Sequence, residues 1–140
     1  MKNLKLVLLL LSSLLLINCS DDDPKSSLTD SNAMVLKLVN VSGSIAGVSH
    51  DFNEGEVTWT LDEENQTIKV VNNFTDTNVY SGIASGTYDY ENVPNEITPQ
   101  SCATTIEING TLNMGCKDNN GNTITFTQLE ADGYVFTFKY

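Results

Sequence analysis

Between residues 34 and 140, apolar residues alternate with polar ones, and this period of two constrains the fold more than any other feature of the sequence. Successive side chains of a β-strand point to opposite faces, so the alternation predicts strands with one buried face. With residues 34–41 as a first strand, we count eight. The apolar positions of the other seven are Val57, Trp59, Leu61; Ile68, Val70; Tyr88, Tyr90; Ile106, Ile108; Leu112, Met114, Cys116; Ile124, Phe126; and Tyr134, Phe136, Phe138, Tyr140.

The connections between most of these strands are short. Asn109-Gly110 suits a tight hairpin because both residues tolerate positive φ, and residues 118–122 and 131–133 are two further reversals. Eight sequential strands joined in this way favour an all-β fold, an antiparallel up-and-down meander that closes into a barrel and so removes its exposed edges. A small β-sandwich is the alternative.

The first eighteen residues have a different character. Lys2 and Lys5 make a short positive start, and residues 6–17 are apolar except for Ser12 and Ser13. An apolar run of this length matches the core of a signal peptide and is too short to span a bilayer as an anchor. We therefore expect residues 1–18 to be an export signal.

The residues that follow carry a resemblance to a known class. Leu16-Ile17-Asn18-Cys19 resembles a lipobox, and Ser20-Asp21-Asp22-Asp23 resembles the export signal of Bacteroidota surface lipoproteins, in which acidic residues after the cysteine direct the protein to the cell surface. The resemblance implies lipidation of Cys19 and a surface-exposed, lipid-anchored protein of the cell outer membrane. The alternative is an ordinary secretory signal with a chance cysteine and a solvated acidic run.

Residues 19–33 are polar and lack an apolar period, so we interpret them as a lipidated, flexible acidic tether. Residues 34–140 then form one small domain. Residues 34–40, the tripeptide at 57–59 and the run at 85–88 resemble the lipocalin-like domains of small Bacteroidota lipoproteins. That resemblance implies a lipocalin-like β-barrel over most of the domain.

With Cys19 assigned to lipid, two cysteines remain. Cys102 and Cys116 in an exported chain predict one disulfide. If Ile108 pairs with Leu112, the two cysteines are not directly opposite each other but diagonal, one residue pair apart. A bulge or a small shift near Ala103 would bring their sulfur atoms together. Two buried free thiols are the alternative.

Charge and histidine content narrow the function classes. The formal net charge is −11 and the chain has no arginine, so we expect no nucleic-acid partner. His50 is the single histidine, and although it lies between Ser49 and Asp51, adjacency in sequence does not make a catalytic triad. Two cysteines and one histidine are too few for a zinc site. We therefore predict a non-catalytic protein without metal or cofactor.

The longest connections predict where a ligand or partner would bind. In a meander, the connection at 42–54 shares an end of the barrel with the one at 73–84, and also with the turns at 109–110 and 131–133. The two long connections carry apolar residues that turns do not require, and lids over binding sites are often built in this way. These candidate ligand-binding residues are Ile45, Val48, Phe52, Phe74, Val79 and Tyr80.

Two functions remain open at this point. The first is a surface-anchored binding module that holds a small apolar ligand or an envelope protein at this end of the barrel. The second is a structural or interaction lipoprotein with a filled core, in which the same apolar residues plug the barrel end. Both attach to the membrane through the N-terminal lipid, and an eight-stranded barrel is wide enough for either arrangement.

Overall fold

A computed structural model of the protein describes residues 33–140. Residues 1–32, which include the predicted signal peptide, Cys19 and the acidic residues Asp21 to Asp23, lie outside the described residues. The described part is all-β. Its strands are β1 (Met34–Gly43), β2 (Val48–Asp51), β3 (Val57–Asp62), β4 (Thr67–Asn72), β5 (Gly86–Pro94), β6 (Thr104–Ile108), β7 (Leu112–Asn120), β8 (Thr123–Thr127) and β9 (Tyr134–Lys139).

Eight of these strands form a closed antiparallel barrel. From β3 to β9 each strand pairs with the next along the chain, β1 pairs with β3, and β1 also pairs with β9 through Leu38 and Phe138. The last pairing closes the sheet on itself and leaves no open pair of edges. The predicted up-and-down barrel is thereby confirmed, and the β-sandwich is excluded.

The ninth strand, β2, interrupts the expected order. One edge of β1 pairs with β9, while its other edge pairs first with β3, as Leu36 with Trp59, and then with β2, as Val41 with His50. β2 and β3 therefore lie along the same edge as one strand broken at 52–56. The prediction of a long connection over 42–54 is wrong, because only a tight turn at 44–47 separates β1 from β2.

The interior of the barrel is occupied by side chains. The indole ring of Trp59 lies 4.9 Å from the Phe138 ring and 5.8 Å from the Phe126 ring, measured between centroids. Large side chains that are almost completely buried surround this group, and they come from both halves of the barrel: Leu36, Leu38, Val57, Leu61, Ile68, Ile108, Met114, Ile124 and Phe136. Close packing of this kind stabilises the fold and leaves the barrel centre filled.

A bulge in β7 changes which residues face inward. Ile108 pairs with Leu112 as predicted, but Ile106 pairs with Gly115, so one residue is added to β7 between these pairs. Beyond the bulge, Lys117 pairs with the buried Phe126, and Cys116 is placed on the outer face. The expectation that Cys116 faces inward with Met114 is therefore wrong.

Cys102 and Cys116 form the predicted disulfide, and their Cα atoms are 5.9 Å apart. The shift that brings them together lies in β7, not near Ala103. Beside the bridge, the buried Asn95 side chain donates hydrogen bonds to the carbonyl oxygens of Thr98 (2.8 Å) and Cys102 (2.9 Å). The disulfide and this amide together fix the connection between β5 and β6.

Removal of this disulfide is expected to destabilise the domain clearly. A bridge that closes a loop with a sequence separation of 14 restricts the unfolded chain enough to stabilise the fold by about 3 kcal/mol. The double substitution Cys102→Ser and Cys116→Ser should lower the free energy of unfolding by about that amount in urea denaturation. Wild-type protein measured with reductant is the control. A loss below about 1 kcal/mol in both samples would contradict a stabilising bridge.

The barrel is strongly staggered around β5. Its first half pairs with β4, and its second half pairs with β6. In consequence the β6–β7 turn lies beside the β3–β4 turn. The backbone N–H of Asn109 donates to the Asp89 carbonyl oxygen (2.9 Å), and the backbone N–H of the adjacent Tyr90 donates to the carbonyl oxygen of Gln66 in the β3–β4 turn (2.9 Å). The prediction that turn 109–110 shares an end with the two long connections is therefore wrong.

Candidate functional site

One end of the barrel is covered by chain segments from three connections. We call it the flap end; it consists of the turn at 44–47, the segment at 73–85 and the connection at 128–133. Ser44 donates its backbone N–H to the Gly133 carbonyl oxygen at 3.0 Å, which joins the first and third of these. The prediction that these connections share one end of the barrel is confirmed, except for the turn at 109–110.

Hydrogen bonds from the end of β4 hold the segment at 73–85 in place. The side-chain amide of Asn72 donates to the Ser81 hydroxyl and to the Ile83 carbonyl oxygen, both at 3.0 Å. The backbone N–H of Asn72 donates to the Ser85 hydroxyl at 2.9 Å. We call this segment the flap, and these bonds give it a defined conformation without a strand or helix of its own.

The flap lies across the aromatic end of the core. At Gly82, which has φ of +90°, an added Cβ would lie 3.4 Å from Phe136 Cε1 and 3.9 Å from Trp59 Cζ2. Phe74, Val79 and Ile83 of the same segment also pack against the buried core. Beneath the flap, the buried Trp59 Nε1 has no hydrogen-bond partner among the described residues. The flap thus covers the barrel end at the level of Trp59.

The structure divides the six predicted binding residues into three groups. Phe52 is 8% exposed and forms an aromatic cluster with Phe74 (ring centroids 4.9 Å apart) and with His50 (4.8 Å from Phe52). Ile45 is 85% exposed at the tip of the β1–β2 turn. The remaining three, Val48, Val79 and Tyr80, come together around one pocket.

This pocket, which we call the flap pocket, has a volume of about 300 Å³. That is at the lower limit for pockets that bind small molecules. It lies between β2, the flap and the start of β9. Its walls are formed by Val41, Val48, Ser49, His50, Asn78, Val79, Tyr80 and Tyr134.

Two tyrosines form the aromatic wall of the pocket. The Tyr80 and Tyr134 ring centroids are 4.7 Å apart with an angle of 45° between the planes, and Tyr80 also lies 5.8 Å from Phe136. Burial raises the pKa of the Tyr80 hydroxyl, and the neighbouring Tyr134 adds to the effect. Tyr80 therefore remains a neutral phenol at physiological pH.

Two carboxyl groups of the neighbouring segments accept hydrogen bonds that lower their pKa. Asp76 accepts hydrogen bonds from the backbone N–H and the side-chain amide of Asn78, both at 2.9 Å, and these bonds lower the pKa of Asp76. Glu56 accepts from the side chain (2.9 Å) and backbone (2.8 Å) of Asn53, which lowers the pKa of Glu56. His50 adds a smaller electrostatic lowering of the pKa of both carboxyl groups.

His50 does not form a triad with its sequence neighbours. Ser49 and Asp51 accept hydrogen bonds from the Asn40 side chain, at 3.1 and 2.8 Å, on one face of β2. His50 points to the opposite face, against Phe52 and Phe74. Ser49 and Asp51 are therefore hydrogen-bonded to Asn40, while the His50 ring packs against Phe52 and Phe74.

Sequence reasoning missed five residues of the flap pocket, namely Val41, Ser49, His50, Asn78 and Tyr134. Two signals point to some of them. Tyr134 directly follows the 131–133 turn, which was expected at this end, and His50 alternates with Val48 along a short strand. Asn78 has no apolar signal, so only the folded flap identifies it.

Other surface features lie elsewhere. A polar groove of about 510 Å³ is lined by residues that include Asp89, Glu91 and Glu107, at the stagger around β5. Within residues 33–140, no three His, Cys, Asp or Glu side chains are grouped so that they could hold a metal ion. Over the same residues no helix is long and apolar enough to cross a membrane.

No protein-family model matches this chain, and neither does a curated protein or a solved structure. The resemblance to lipocalin-like lipoproteins therefore stays a prediction from the sequence. The candidate site is an aromatic, partly apolar pocket beside a structured flap.

Proposed function

We propose that this protein is a non-catalytic, lipid-anchored lipoprotein of the bacterial outer-membrane surface that binds a small apolar ligand in the flap pocket. The observation that supports binding is the convergence of Val48, Val79 and Tyr80 on one pocket of about 300 Å³. Apolar walls with a few polar groups are typical of small-molecule sites. The anchor at Cys19 and the export signal at 20–23 are supported by the sequence.

The filled core limits where such a ligand can lie. Trp59, Phe126 and Phe138 occupy the barrel centre, so a ligand would bind at the rim, between the flap and β2. A rim site of about 300 Å³ can hold a compact molecule of one or two rings. The proposed ligand is therefore a compact, ring-sized molecule.

The same filled core supports a second candidate, a structural or interaction lipoprotein of the envelope without a small-molecule site. In that case Phe52, Phe74 and Val79 would serve only to plug the barrel end. The two candidates differ in one measurable property, because only the first requires that a small apolar molecule occupies the flap pocket.

A pocket-filling substitution should separate these candidates. Val48→Trp places a large ring in the flap pocket, and Val35→Trp is a matched control because both valines are on strands and are 46% and 49% exposed. We expect neopentylbenzene to bind the wild-type protein and Val35→Trp, and Val48→Trp to reduce its binding at least tenfold, since the indole takes the ligand's place.

The measurement is ligand-observed NMR with the full mature chain in nanodiscs of zwitterionic lipid. Partitioning of the probe into lipid is the same for every variant, so differences between variants report binding to the protein. Equal signals from wild-type protein and Val48→Trp, at unchanged thermal stability, would contradict the binding function and favour the structural one.

A further inference from the structure

We propose that the ligand of the flap pocket carries a positively charged, organic ammonium group next to its apolar part. This inference rests on the proposed binding function and specifies the chemistry of the ligand. It follows from three properties of the pocket, which are its tyrosine wall, the charges around it and its apolar floor.

The tyrosine wall suits a cation. An ammonium group is attracted to the face of an aromatic ring within about 6 Å of its centroid, and tyrosine rings serve well in this role. Tyr80 and Tyr134 both line the pocket, and their ring centroids are 4.7 Å apart, so a bound group lies near two aromatic rings. A neutral apolar group would gain the same contact area without this electrostatic attraction.

The charges near the pocket have the matching sign. Asp76 is hydrogen-bonded to Asn78, which lines the pocket, and hydrogen bonding keeps the Asp76 carboxyl ionised. None of the residues that line the pocket is a lysine or arginine, and the imidazole of His50 is the one lining group that can become cationic. An anionic ligand would therefore meet repulsion with no fixed counter-charge, while a cation would be attracted.

The rest of the pocket defines the other half of the ligand. Val41, Val48 and Val79 offer only methyl groups, which favour an apolar ring or short alkyl group. The chain's formal net charge of −11 also raises the local concentration of cations at its surface. The pocket thus fits a compact amphipathic cation, such as an aromatic quaternary amine.

Two isosteric probes test this inference. Benzyltrimethylammonium and neopentylbenzene have the same shape and differ by one positive charge. With the full mature chain in zwitterionic nanodiscs near pH 8, we expect the cation to bind the wild-type protein roughly threefold to thirtyfold more tightly, the range of a partly desolvated cation–π contact. Tyr80→Leu and Asp76→Asn should each lower this preference, measured as the ratio of the two dissociation constants.

Asp118→Asn is the matched control, because it removes the same charge from the β7 strand and should leave the ratio unchanged. If neopentylbenzene binds as tightly as the cation in the wild-type protein, the charge inference is overturned while the binding function stands. If neither probe binds, or Val48→Trp retains both, both proposals are overturned. A preference for the cation that survives Tyr80→Leu and Asp76→Asn would overturn its assignment to this pocket.

Discussion

A Cys19→Ser protein is expected to carry no lipid and to keep its signal peptide uncut. The sulfur of Cys19 is the only atom of the proposed lipobox to which a diacylglyceryl group can be attached, and we propose that the apolar run at 6–17 is cleaved from the wild-type protein before that cysteine. Stable residence at a membrane requires two or more acyl chains, since one chain alone gives marginal binding.

Metabolic labelling with a fatty acid provides the measurement. The wild-type protein should incorporate label and sediment with membranes, whereas Cys19→Ser should incorporate none and keep an uncut signal. Cys102→Ser together with Cys116→Ser is the control, because it removes the other two cysteines and should leave labelling unchanged. Label on the Cys19→Ser protein would refute the lipoprotein assignment.

The closed barrel could be predicted from sequence because its strands obey a period of two over several residues each. Val57, Trp59 and Leu61 all lie in the core, and the residues between them are half-buried on the outer face. β2 escaped prediction because it is only four residues long and has His50 at an inward position. Such a segment cannot be told from a loop by its pattern alone.

The bulge at Gly115 escaped prediction for the opposite reason, because the alternation continues through it. Leu112, Met114 and Cys116 form an unbroken apolar series, yet the added residue turns Cys116 outward and Lys117 inward. The Lys117 ammonium then reaches the Glu63 carboxylate, at 2.7 Å, across the far end of the barrel. The sequence contains a glycine at the bulge but no signal that fixes the shift in register.

The candidate site was predictable to the extent that apolar residues in loops require an explanation. Val48, Val79 and Tyr80 proved to line a pocket, whereas Phe52 and Phe74 joined the core cluster. The same signal marked both groups, because a plug and a ligand site need equally apolar side chains. Only the arrangement of the flap, set by the Asn72 hydrogen bonds, distinguishes them.

The bulge also leads to the largest stability effect expected of a conservative substitution in the described barrel. At Gly115, φ is +79° and an added Cβ would lie 1.7 Å from the Thr127 carbonyl oxygen and 2.7 Å from the Gln128 Cα. Both atoms belong to the backbone of the neighbouring chain segment. They can move only if the pairing of Cys116 with Thr127 is disrupted.

Gly115→Ala is therefore expected to lower the free energy of unfolding by more than about 3 kcal/mol, since backbone strain and overpacking act together. Gly121→Ala is the matched control: φ is +68° there, but no atom lies within 4 Å of the added Cβ. Backbone strain alone should cost about 1 kcal/mol at that position. Urea denaturation of both variants measures the difference, and a gap below about 1 kcal/mol would mean that the Thr127 backbone can move away from residue 115 at little cost.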